Sequence, residues 1–440
     1  MRWWIYNLLF AVAYAVMLPR FLLRMKRRGG YRNRMGDRFG RYPDEVAQRL
    51  RRMEHAVWIH AVSVGEVYVA GQVMRSLRER SPDIRFVFST TSSTGWKEAE
   101  KQVGPEDVLM YNPLDFPLCV KRSLAAVRPR AFILTESEIW PNLIRACRRR
   151  GVPLFLVNAR VSDRSAPGYR RLRFWFGPVL RMFTAIMAQS AADKRRLVDA
   201  GADPDRIEVT GSFKFDVANR NPVKERSVAE FLSRHDCGGD RVVLLGGSTW
   251  PGEDAVLVGI YKRLRERYPT LRLVIVPRHF EKADAVQTEI EKAGLACVRK
   301  SRDDGQRPAA EARKPEAGST VVVGDTTGEL MGFYGNAQIV FVGKSLCEHG
   351  AQNMIEPCLC GAATLVGPHT ENFRPVMSDL LEAGALIQVP DAAALEREVE
   401  RLVADAAARQ ALGQRGVAAV LRRKGVVARC ADVLARRIGR

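Results

Sequence analysis

From residue 56 onward, short runs of apolar and β-branched residues alternate with segments of helical periodicity. This alternation is typical of βαβ units, in which each buried strand of a parallel sheet is followed by a crossover helix. In the first half of the chain, strands are predicted at 57–64, 85–90, 108–111, 131–135, 153–157, 185–188 and 207–210. In the second half, they are predicted at 242–245, 271–276, 320–323, 339–342, 364–366 and 386–389. The pattern therefore predicts an α/β fold with two Rossmann-like domains facing each other across a cleft, where ligands bind at the carboxyl ends of the strands.

The alternation is interrupted at two places that help to divide the chain. Residues 213–240 lose the pattern and carry mixed charge, so we place the connection between the domains there. The first domain is predicted at 29–217 and the second at 218–440, with residues 1–28 in front of both. A stretch from 301 to 318, rich in Asp, Arg, Ala, Pro and Lys, is typical of a solvated loop.

The first residues form a separate apolar segment. Trp3 to Leu18 are apolar except for Asn7, and basic residues cluster between Arg20 and Arg34. Sixteen apolar residues are fewer than the roughly 20 that a membrane-spanning helix needs. We therefore expect a short N-terminal membrane-anchor helix over 1–28 that is shallow or barely spans the bilayer, with its basic flank at anionic headgroups on the cytoplasmic side. A cleaved signal peptide is the alternative, which the basic flank disfavours.

Composition narrows the class of protein. The chain has 440 residues, 46% hydrophobic and 27% charged, as expected for a folded globular protein. Its net charge of +21 indicates a polyanionic partner, such as an anionic membrane surface, a phosphorylated substrate or nucleic acid. No known nucleic-acid motif supports the last of these. The eight cysteines lack metal-ligand spacing, which favours reduced thiols in the cytosol and predicts no metal site.

Carboxylates follow two predicted strands of the first domain. Glu66 lies in the turn after the first strand, where Gly65 permits a tight turn into a helix. It is a candidate for acid–base chemistry, and the alternative is a glutamate that only stabilises the first helical turn. Glu136 and Glu138 follow the strand that ends at Thr135, and two like charges there can raise a carboxyl pKa or bind sugar hydroxyls. Alternatively, Glu138 starts the next helix and Glu136 pairs with an arginine.

Basic residues and glycines mark three further positions. Lys214, between two phenylalanines at the end of the first domain, is a candidate to neutralise charge on a leaving phosphate, unless it is an ordinary surface lysine. In the second domain, the Gly-Gly-Ser-Thr run at 246–249 is predicted to bind a phosphate before a helix. Arg278 follows the next strand and suits bidentate phosphate contact. No GxxxxGK[ST] loop is found, which excludes a P-loop ATPase.

Two segments later in the second domain are suited to a nucleotide. Residues 325–329 follow a strand, and residues 353–357, Asn-Met-Ile-Glu-Pro, open a later helix. Glu356, in the first turn, can accept from both ribose hydroxyls, while Asn353 and the helix N–H groups meet a phosphate. The DxD arrangement that holds a metal–diphosphate is absent beside them, which favours a donor that needs no metal.

Taken together, the motifs resemble a known family. The stretches HAVSVGE, TESEIWPN, GSFKFD, PRH, DTTGE and NMIEP, in this order and at these separations, resemble the bacterial 3-deoxy-D-manno-octulosonic acid (Kdo) transferases of lipopolysaccharide synthesis, over nearly the whole chain. The resemblance implies the GT-B fold of glycosyltransferase family 30, with CMP-Kdo as donor and a lipid A precursor (lipid IVA) as acceptor. It also implies no metal or other cofactor and a position on the cytoplasmic side of the inner membrane.

The same resemblance implies functions for individual residues. The general base falls on Glu66, and two positions that stabilise the transition state fall on Glu136 and Lys214. The CMP-binding positions fall on Pro277, Arg278, Thr327, Gly328, Glu329, Asn353, Met354, Ile355 and Glu356. The implied reaction is an inverting transfer in one displacement, in which Glu66 takes the proton of the attacking acceptor hydroxyl and CMP leaves.

One segment departs from the family pattern. Where the family usually has Gly-Gly-His-Asn before Glu-Pro, this chain has Cys-Glu-His-Gly-Ala-Gln-Asn at 347–353, so the shape of this loop and its donor contacts are open. Two other functions also stay open: a GT-B enzyme that uses a UDP-sugar, and a basic membrane-surface binding protein with a degenerate transferase fold. The sequence leaves open the oligomeric state, the number of Kdo residues added and the preferred acceptor.

Overall fold

A computed structural model describes residues 3–28, 32–53, 55–303 and 320–438. The chain forms two compact units. The first consists of Met1–Phe213 together with Gly425–Arg440, and the second of Lys214–Lys424. The loop predicted at 301–318 lies outside the described residues from 304 onward.

The first unit is built on a parallel sheet. Its described strands are β1 Val57–His60, β2 Phe86–Thr90, β3 Val108–Tyr111, β4 Ala131–Thr135, β5 Leu154–Ala159, β6 Ala185–Ala188 and β7 Ile207–Val209. The α-helices before the connection are α1 Trp3–Arg28, α2 Asp44–Arg52, α3 Val64–Arg80, α4 Ser93–Ala99, α5 Pro117–Val127, α6 Pro141–Arg149, α7 Ala166–Arg171, α8 Arg173–Leu180 and α9 Ala191–Asp199. The strand order is β3-β2-β1-β4-β5-β6-β7. This order reverses between β1 and β4, so their carboxyl ends form the switch point at which open α/β sheets bind ligands.

The second unit repeats this plan. Its described strands are β8 Val242–Thr249, β9 Leu271–Pro277, β10 Ala296–Arg299, β11 Thr320–Val323, β12 Ile339–Val342, β13 Ala363–Val366 and β14 Ile387–Gln388. Its α-helices are α10 Lys214–Val217, α11 Pro222–Arg234, α12 Glu253–Leu264, α13 Ala283–Lys292, α14 Leu330–Tyr334, α15 Ile355–Leu359, α16 Arg374–Glu382, α17 Ala392–Ala404 and α18 Ala406–Arg423. The order β10-β11-β9-β8-β12-β13-β14 places the switch point between β8 and β12.

Short 3₁₀ helices complete the described secondary structure. They span Arg32–Phe39, Pro204–Arg206, Phe280–Lys282, Lys300–Arg302 and Glu371–Phe373. The central strands are buried throughout because both faces of a parallel sheet are covered by helices. In β1, for example, Trp58 packs into the core on one face of the sheet, and Val57 and Ile59 pack into the core on the other.

The end of the chain corrects the predicted domain boundaries. The last helix, α19 Val426–Ile438, belongs to the first unit rather than to the predicted second domain at 218–440. Its apolar face, which includes Val426, Cys430 and Leu434, is buried in the same core as Ile59 of β1. The boundary between the units, at 213/214, falls within the predicted connection at 213–240 but before the predicted domain boundary at 217, since Phe213 packs in the first unit and Phe215 in the second.

Strand prediction succeeded for every strand except one. β10 was missed because it is short, only half-buried and ends in a basic residue. β1 ends at His60 instead of 64 because Ser63 caps α3. The predicted phosphate turn at 246–249 was wrong, since β8 continues through it. The glycines there permit close packing: a Cβ on Gly246 or Gly247 would lie 2.5 Å from the side chain of Leu257 or Tyr334.

The predicted N-terminal helix is present and packs along one stripe. Tyr6 donates a hydrogen bond to Asp115 (2.7 Å), Asn7 accepts one from Asn142 (2.7 Å), and Phe10 packs edge-on against Phe116. Asn7, which interrupts the apolar run, is therefore a packing contact within the first unit. Among the described residues, no helix combines the length and apolar character needed to span a membrane.

Candidate active site

Glu66 is fixed at the start of α3 by a reciprocal capping arrangement. Ser63 is the N-cap, and its Oγ accepts from the backbone N–H of Glu66 (3.2 Å). The carboxylate reaches back, so that its Oε2 accepts from the N–H of Val62 (3.0 Å). The Thr135 hydroxyl, at the end of β4, lies 3.2 Å from the same oxygen. Glu66 thus performs the helix-stabilising function of a first-turn glutamate, and its carboxylate also lies beside the end of β4 at the switch point.

Glu136 follows β4 directly and has an unusual backbone. Its φ is +56°, in the left-handed region that non-glycine residues seldom occupy. Asn158, near the end of the neighbouring β5, has φ +54° and donates from Nδ2 to Glu136 Oε1 (3.3 Å). Two such conformations side by side cost of order 1–3 kcal/mol each and are concentrated at functional sites. The Asn158 amide thereby holds the Glu136 carboxylate just beyond the end of β4.

Glu138 brings a third carboxylate to this edge. Burial raises its pKa to about 7 from an ordinary 4.5, and the nearby charges of Glu66 and Glu136 add to the rise. The alternative in which Glu138 starts the next helix was wrong, because α6 begins only at Pro141. Carboxylates that follow β1 and β4 therefore lie near one another, and Glu138 is the one that stays partly protonated at neutral pH.

Replacing Glu138 with glutamine is expected to remove a pH dependence of stability. Between pH 4.5 and about 7 the unfolded chain releases this proton while the folded chain keeps it, so stability falls as pH rises through that window. The variant should match the parent near pH 4.5 and exceed it near pH 8 by on the order of 1–3 kcal/mol. Thermal unfolding at both pH values measures this. Glu79→Gln, a glutamate whose side chain is 75% exposed, is the control, and an equal gap at both pH values would contradict the expectation.

His60 is the last residue of β1, at the end of the strand that precedes Glu66. It is fully buried, and burial lowers its pKa to about 4, so the ring is neutral at physiological pH. Its Nδ1 lies 3.0 Å from the carbonyl oxygen of Ser89, and its Nε2 accepts from Trp140 Nε1 (3.2 Å). A neutral ring with Nδ1 protonated satisfies both contacts. His60 is thereby assigned to positioning Trp140, which precedes α6, rather than to proton transfer.

Lys214 lies in the second unit instead of at the end of the first. Its Nζ donates to the backbone carbonyl of Asn372 (3.1 Å) and lies 3.8 Å from the ring centroid of Phe373. The two phenylalanines that flank it in sequence are buried in cores. Lys214 is therefore held against the loop before α16 by contacts that the sequence did not reveal.

The predicted nucleotide segments of the second unit partly converge. Asn353 caps Ile355 with its Oδ1 (3.1 Å) and donates from Nδ2 to Glu356 Oε1 (3.0 Å). Burial raises the pKa of Glu356, and Asn353 and the positive charge of Arg278 offset part of the rise. Arg278 and Glu356 are thus near enough for their charges to interact. Met354 and Ile355 are fully buried, so their side chains are not available to a ligand.

The remaining predicted positions occupy the loop after β11 and the end of β9. Glu329 accepts from Lys300 Nζ with both oxygens (2.8 and 2.9 Å). Burial alone would raise its pKa, but the bonds from Lys300 and Thr326 outweigh it and leave it lowered. Gly328 has φ +80°, and its carbonyl accepts from Lys224 Nζ (2.7 Å). Thr327 is exposed, and Pro277 is the buried last residue of β9.

Comparison with known proteins identifies the family. The family described as 3-deoxy-D-manno-octulosonic-acid transferase (kdotransferase) matches residues 33–217. The 3-deoxy-D-manno-octulosonic acid transferase of Haemophilus influenzae is 31% identical over 405 residues, covering 92% of this chain and 91% of that protein. The chain belongs to the Kdo transferase family. Another member, from Bordetella pertussis, is 35% identical over 392 residues, covering 86% of each chain. The predicted family and the predicted glycosyltransferase class are confirmed.

Solved structures of lower identity confirm the fold. A glycosyltransferase from Rickettsia africae superposes with a TM-score of 0.58 at 12% identity, covering 88% of this chain and 98% of that one. UDP-GlcNAc 2-epimerase from Neisseria meningitidis gives 0.55 at 12% identity, covering 87% and 99%. At these identities the likeness concerns the fold alone. The two seven-stranded parallel sheets and these neighbours agree with the predicted GT-B class.

Several residues of this site were missed from the sequence. Asn158 directly follows the predicted strand at 153–157. Its position after a strand end, like that of Glu136, could have marked it as a candidate. Thr135 and His60 lie inside apolar strand runs, where a polar residue is usually structural. Lys300 and Lys224 contact Glu329 and Gly328 from distant parts of the chain, and no local pattern marks such pairs.

Proposed function

We propose that this member of the Kdo transferase family transfers Kdo from CMP-Kdo to a lipid A precursor by an inverting displacement that needs no metal. Membership of the Kdo transferase family supports Kdo as the sugar that is transferred. One local observation carries the chemistry: Glu66 is held by three contacts at the switch point of the first unit. Its Oε2 takes the capping bonds, whereas Oε1 accepts no hydrogen bond from the described residues.

In the proposed reaction, the first unit supplies the base. A hydroxyl of the acceptor donates its proton to Glu66 Oε1 as the hydroxyl oxygen bonds to the anomeric carbon of Kdo. The bond from that carbon to the CMP phosphate breaks, and CMP departs with the electron pair. Glu136, whose carboxylate accepts a hydrogen bond from Asn158 Nδ2, stabilises the positive charge that develops on the sugar. The contacts of Oε2 restrict the Glu66 side chain to few rotamers. The base is therefore already oriented for proton transfer before the acceptor binds.

The second unit is proposed to bind the donor. Glu356 and Asn353 accept and donate at the ribose hydroxyls and the phosphate of CMP, and the exposed guanidinium of Arg278 pairs with the phosphate. Lys214, oriented by Asn372 and Phe373, supplies a further positive charge for the departing phosphate or the sugar carboxylate. Two cations can offset the charge of one phosphate, which supports a reaction that proceeds without a divalent metal.

Incubation of the enzyme with a lipid A precursor and CMP-Kdo in excess chelator is expected to yield a product heavier by one or more Kdo residues. Mass spectrometry measures the product and also counts the Kdo residues added. Parallel incubations with UDP-sugars are expected to give none. A strict requirement for Mg²⁺, or transfer from a UDP-sugar instead, would sink the proposal for the donor and the metal-free reaction.

The N-terminal helix is proposed to hold the enzyme at the cytoplasmic surface of the inner membrane. Away from the stripe that packs on the first unit, α1 exposes large apolar side chains: Trp4, Leu8, Leu9, Val12, Val16, Met17 and Leu23 are each more than half exposed. An apolar helix face of this kind is suited to the boundary between headgroups and acyl chains. The net charge of +21 favours an anionic surface.

Substitution of this exposed face is expected to release the protein from vesicles. The quadruple variant Leu8→Gln, Leu9→Gln, Val12→Gln and Val16→Gln should lower the fraction that sediments with anionic vesicles at least about tenfold, because the apolar contact with the acyl chains is lost. The control carries Val223→Gln and Leu421→Gln, which are as exposed but lie in the second unit. Undiminished sedimentation of the quadruple variant would contradict the proposed anchor.

A further inference from the structure

Three potential metal ligands meet in the second unit, on the loops that follow β12 and β13. His349 comes from the first loop, and His369 and Glu371 from the second. One ligand atom from each lies within 4.8 Å of the others. Nδ1 of His349 is 3.1 Å and Nδ1 of His369 is 3.8 Å from the same oxygen of Glu371, Oε1. The two imidazole ring centroids are 3.9 Å apart.

The loop that carries His349 is held in shape by backbone contacts. The buried carboxylate of Glu253 accepts from the N–H groups of Lys344 (2.8 Å), Ser345 (3.0 Å) and Leu346 (3.0 Å). The N–H of Ala351 closes the loop by donating to the carbonyl of Lys344 (2.7 Å). The path from β12 to His349 is therefore fixed by interactions that do not involve the three ligands.

The second loop is fastened to the first. The N–H of His369 donates to the carbonyl of Ser345 (3.0 Å), and the N–H of Gly367 donates to the Ser345 hydroxyl (2.8 Å). The two histidines are thus brought together by the backbone, although 20 residues separate them. A chance meeting of flexible surface side chains would lack this support.

The chemistry of the three groups fits a transition metal. The second carboxylate oxygen of Glu371, Oε2, is buried and has no hydrogen-bond partner among the described residues, and a buried acceptor left without a partner destabilises the fold. Two imidazoles and one carboxylate form a ligand set typical of zinc with an open fourth position. We propose that His349, His369 and Glu371 bind one divalent transition cation of the zinc class, which clamps the 344–351 loop to the 367–373 loop.

The geometry requires only a small closure. With metal–ligand bonds of about 2.0–2.2 Å, the ligand atoms of a tetrahedral site lie about 3.3 Å apart, compared with at most 4.8 Å here. The His349 side chain is 72% exposed and can rotate inward without disturbing the core. The first loop continues to Asn353, and the carbonyl of Asn372 in the second loop accepts from Lys214 Nζ. The metal would therefore stiffen the surroundings of the proposed donor site. The proposed transfer reaction does not use it.

The test is zinc binding to the full-length protein after treatment with chelator and dialysis. Competition with a chromophoric zinc indicator is expected to show one equivalent of Zn²⁺ bound with a dissociation constant in the micromolar range or lower. His349→Ala and Glu371→Gln should each weaken this binding at least tenfold, and each should lose the rise in unfolding temperature that Zn²⁺ gives the parent. Unchanged unfolding temperatures without Zn²⁺ would establish that these variants are folded.

Two control variants make the result specific. His55→Asn removes an exposed histidine of the first unit, at φ +60°, where asparagine is well tolerated. Cys347→Ser removes the exposed thiol of the same loop as His349. Both should bind Zn²⁺ like the parent. Absence of binding to the parent, binding that survives His349→Ala, or loss on Cys347→Ser alone would each overturn the proposal. None of these outcomes changes the result expected for the transfer assay in excess chelator. The proposed metal site and the proposed transfer reaction can therefore be refuted independently.

Discussion

Replacing Glu66 with glutamine is expected to slow Kdo transfer by about 10²–10⁴-fold, the usual contribution of a positioned general base. Nucleotide binding by the second unit should be unchanged. The structure indicates that this substitution preserves the local contacts of residue 66. Glu66 Oε2 alone accepts from the Val62 N–H and lies beside the Thr135 hydroxyl, and a glutamine carbonyl oxygen can take both contacts. The backbone N–H of residue 66 also keeps its bond to Ser63 Oγ in the variant, so the unfolding temperature should change by only a few degrees.

A matched control exists on another helix of the same unit. Asp193, in the first turn of α9, accepts from the N–H of Val161 (3.0 Å), and its own N–H donates to Oγ of the N-cap Ser190 (3.1 Å). Asp193→Asn therefore repeats the loss of a capping carboxylate away from β1 and β4. Its transfer rate should stay near that of the parent. If Glu66→Gln turned over nearly as fast as the parent, or if Asp193→Asn lost as much activity, the base function of Glu66 would be refuted.

Local pattern could predict that Glu66 and Glu136 each follow a strand. It could not by itself predict that the two strands are neighbours, because 70 residues and two further strands separate them. The pairing of Val57 with Ala131 and of His60 with Leu134 sets β1 and β4 side by side in parallel. Their carboxyl ends therefore meet. Only the general plan of a sheet that reverses order between β1 and β4 leads to this expectation.

Other features were beyond reach of the sequence for physical reasons. The left-handed backbone of Glu136 depends on tertiary contacts, since nothing in Thr-Glu-Ser-Glu marks a positive φ. Lys214 lies one residue beyond Phe213, the last residue of the first unit, and so small an offset is within the error of any boundary drawn from composition. The packing of α19 on the first unit could not be predicted, because the sequence does not reveal which of the two cores lacks a covering helix. The glycines of β8 resemble a phosphate loop until the side chains of Leu257 and Tyr334 are seen against them.

Replacing Glu356 with glutamine is expected to weaken CMP binding by about 10–100-fold, while turnover at saturating donor changes little. A carboxylate accepts from two ribose hydroxyls at once, whereas an amide offers one acceptor, and a hydrogen bond to a charged group contributes about 1.5–3 kcal/mol. The bond from Asn353 Nδ2 to Glu356 Oε1 can persist in the variant, so α15 should stay in place. Calorimetric titration with CMP measures the affinity, with UDP in parallel. Glu289→Gln, a partly exposed glutamate on α13 that pairs with Lys292, is the control.

Together, the two glutamate variants distinguish catalysis by the first unit from CMP binding by the second. Glu66→Gln should lower turnover and leave the dissociation constant of CMP unchanged, whereas Glu356→Gln should raise that constant and leave the saturated rate nearly unchanged. If Glu356 instead served only to cap its short helix, its replacement would lower the unfolding temperature without a selective loss of CMP affinity. If the donor were a UDP-sugar, the parent would bind UDP more tightly than CMP. An affinity for CMP that falls only in Glu356→Gln, together with a rate that falls only in Glu66→Gln, is the result that a donor site in the second unit and a base in the first require.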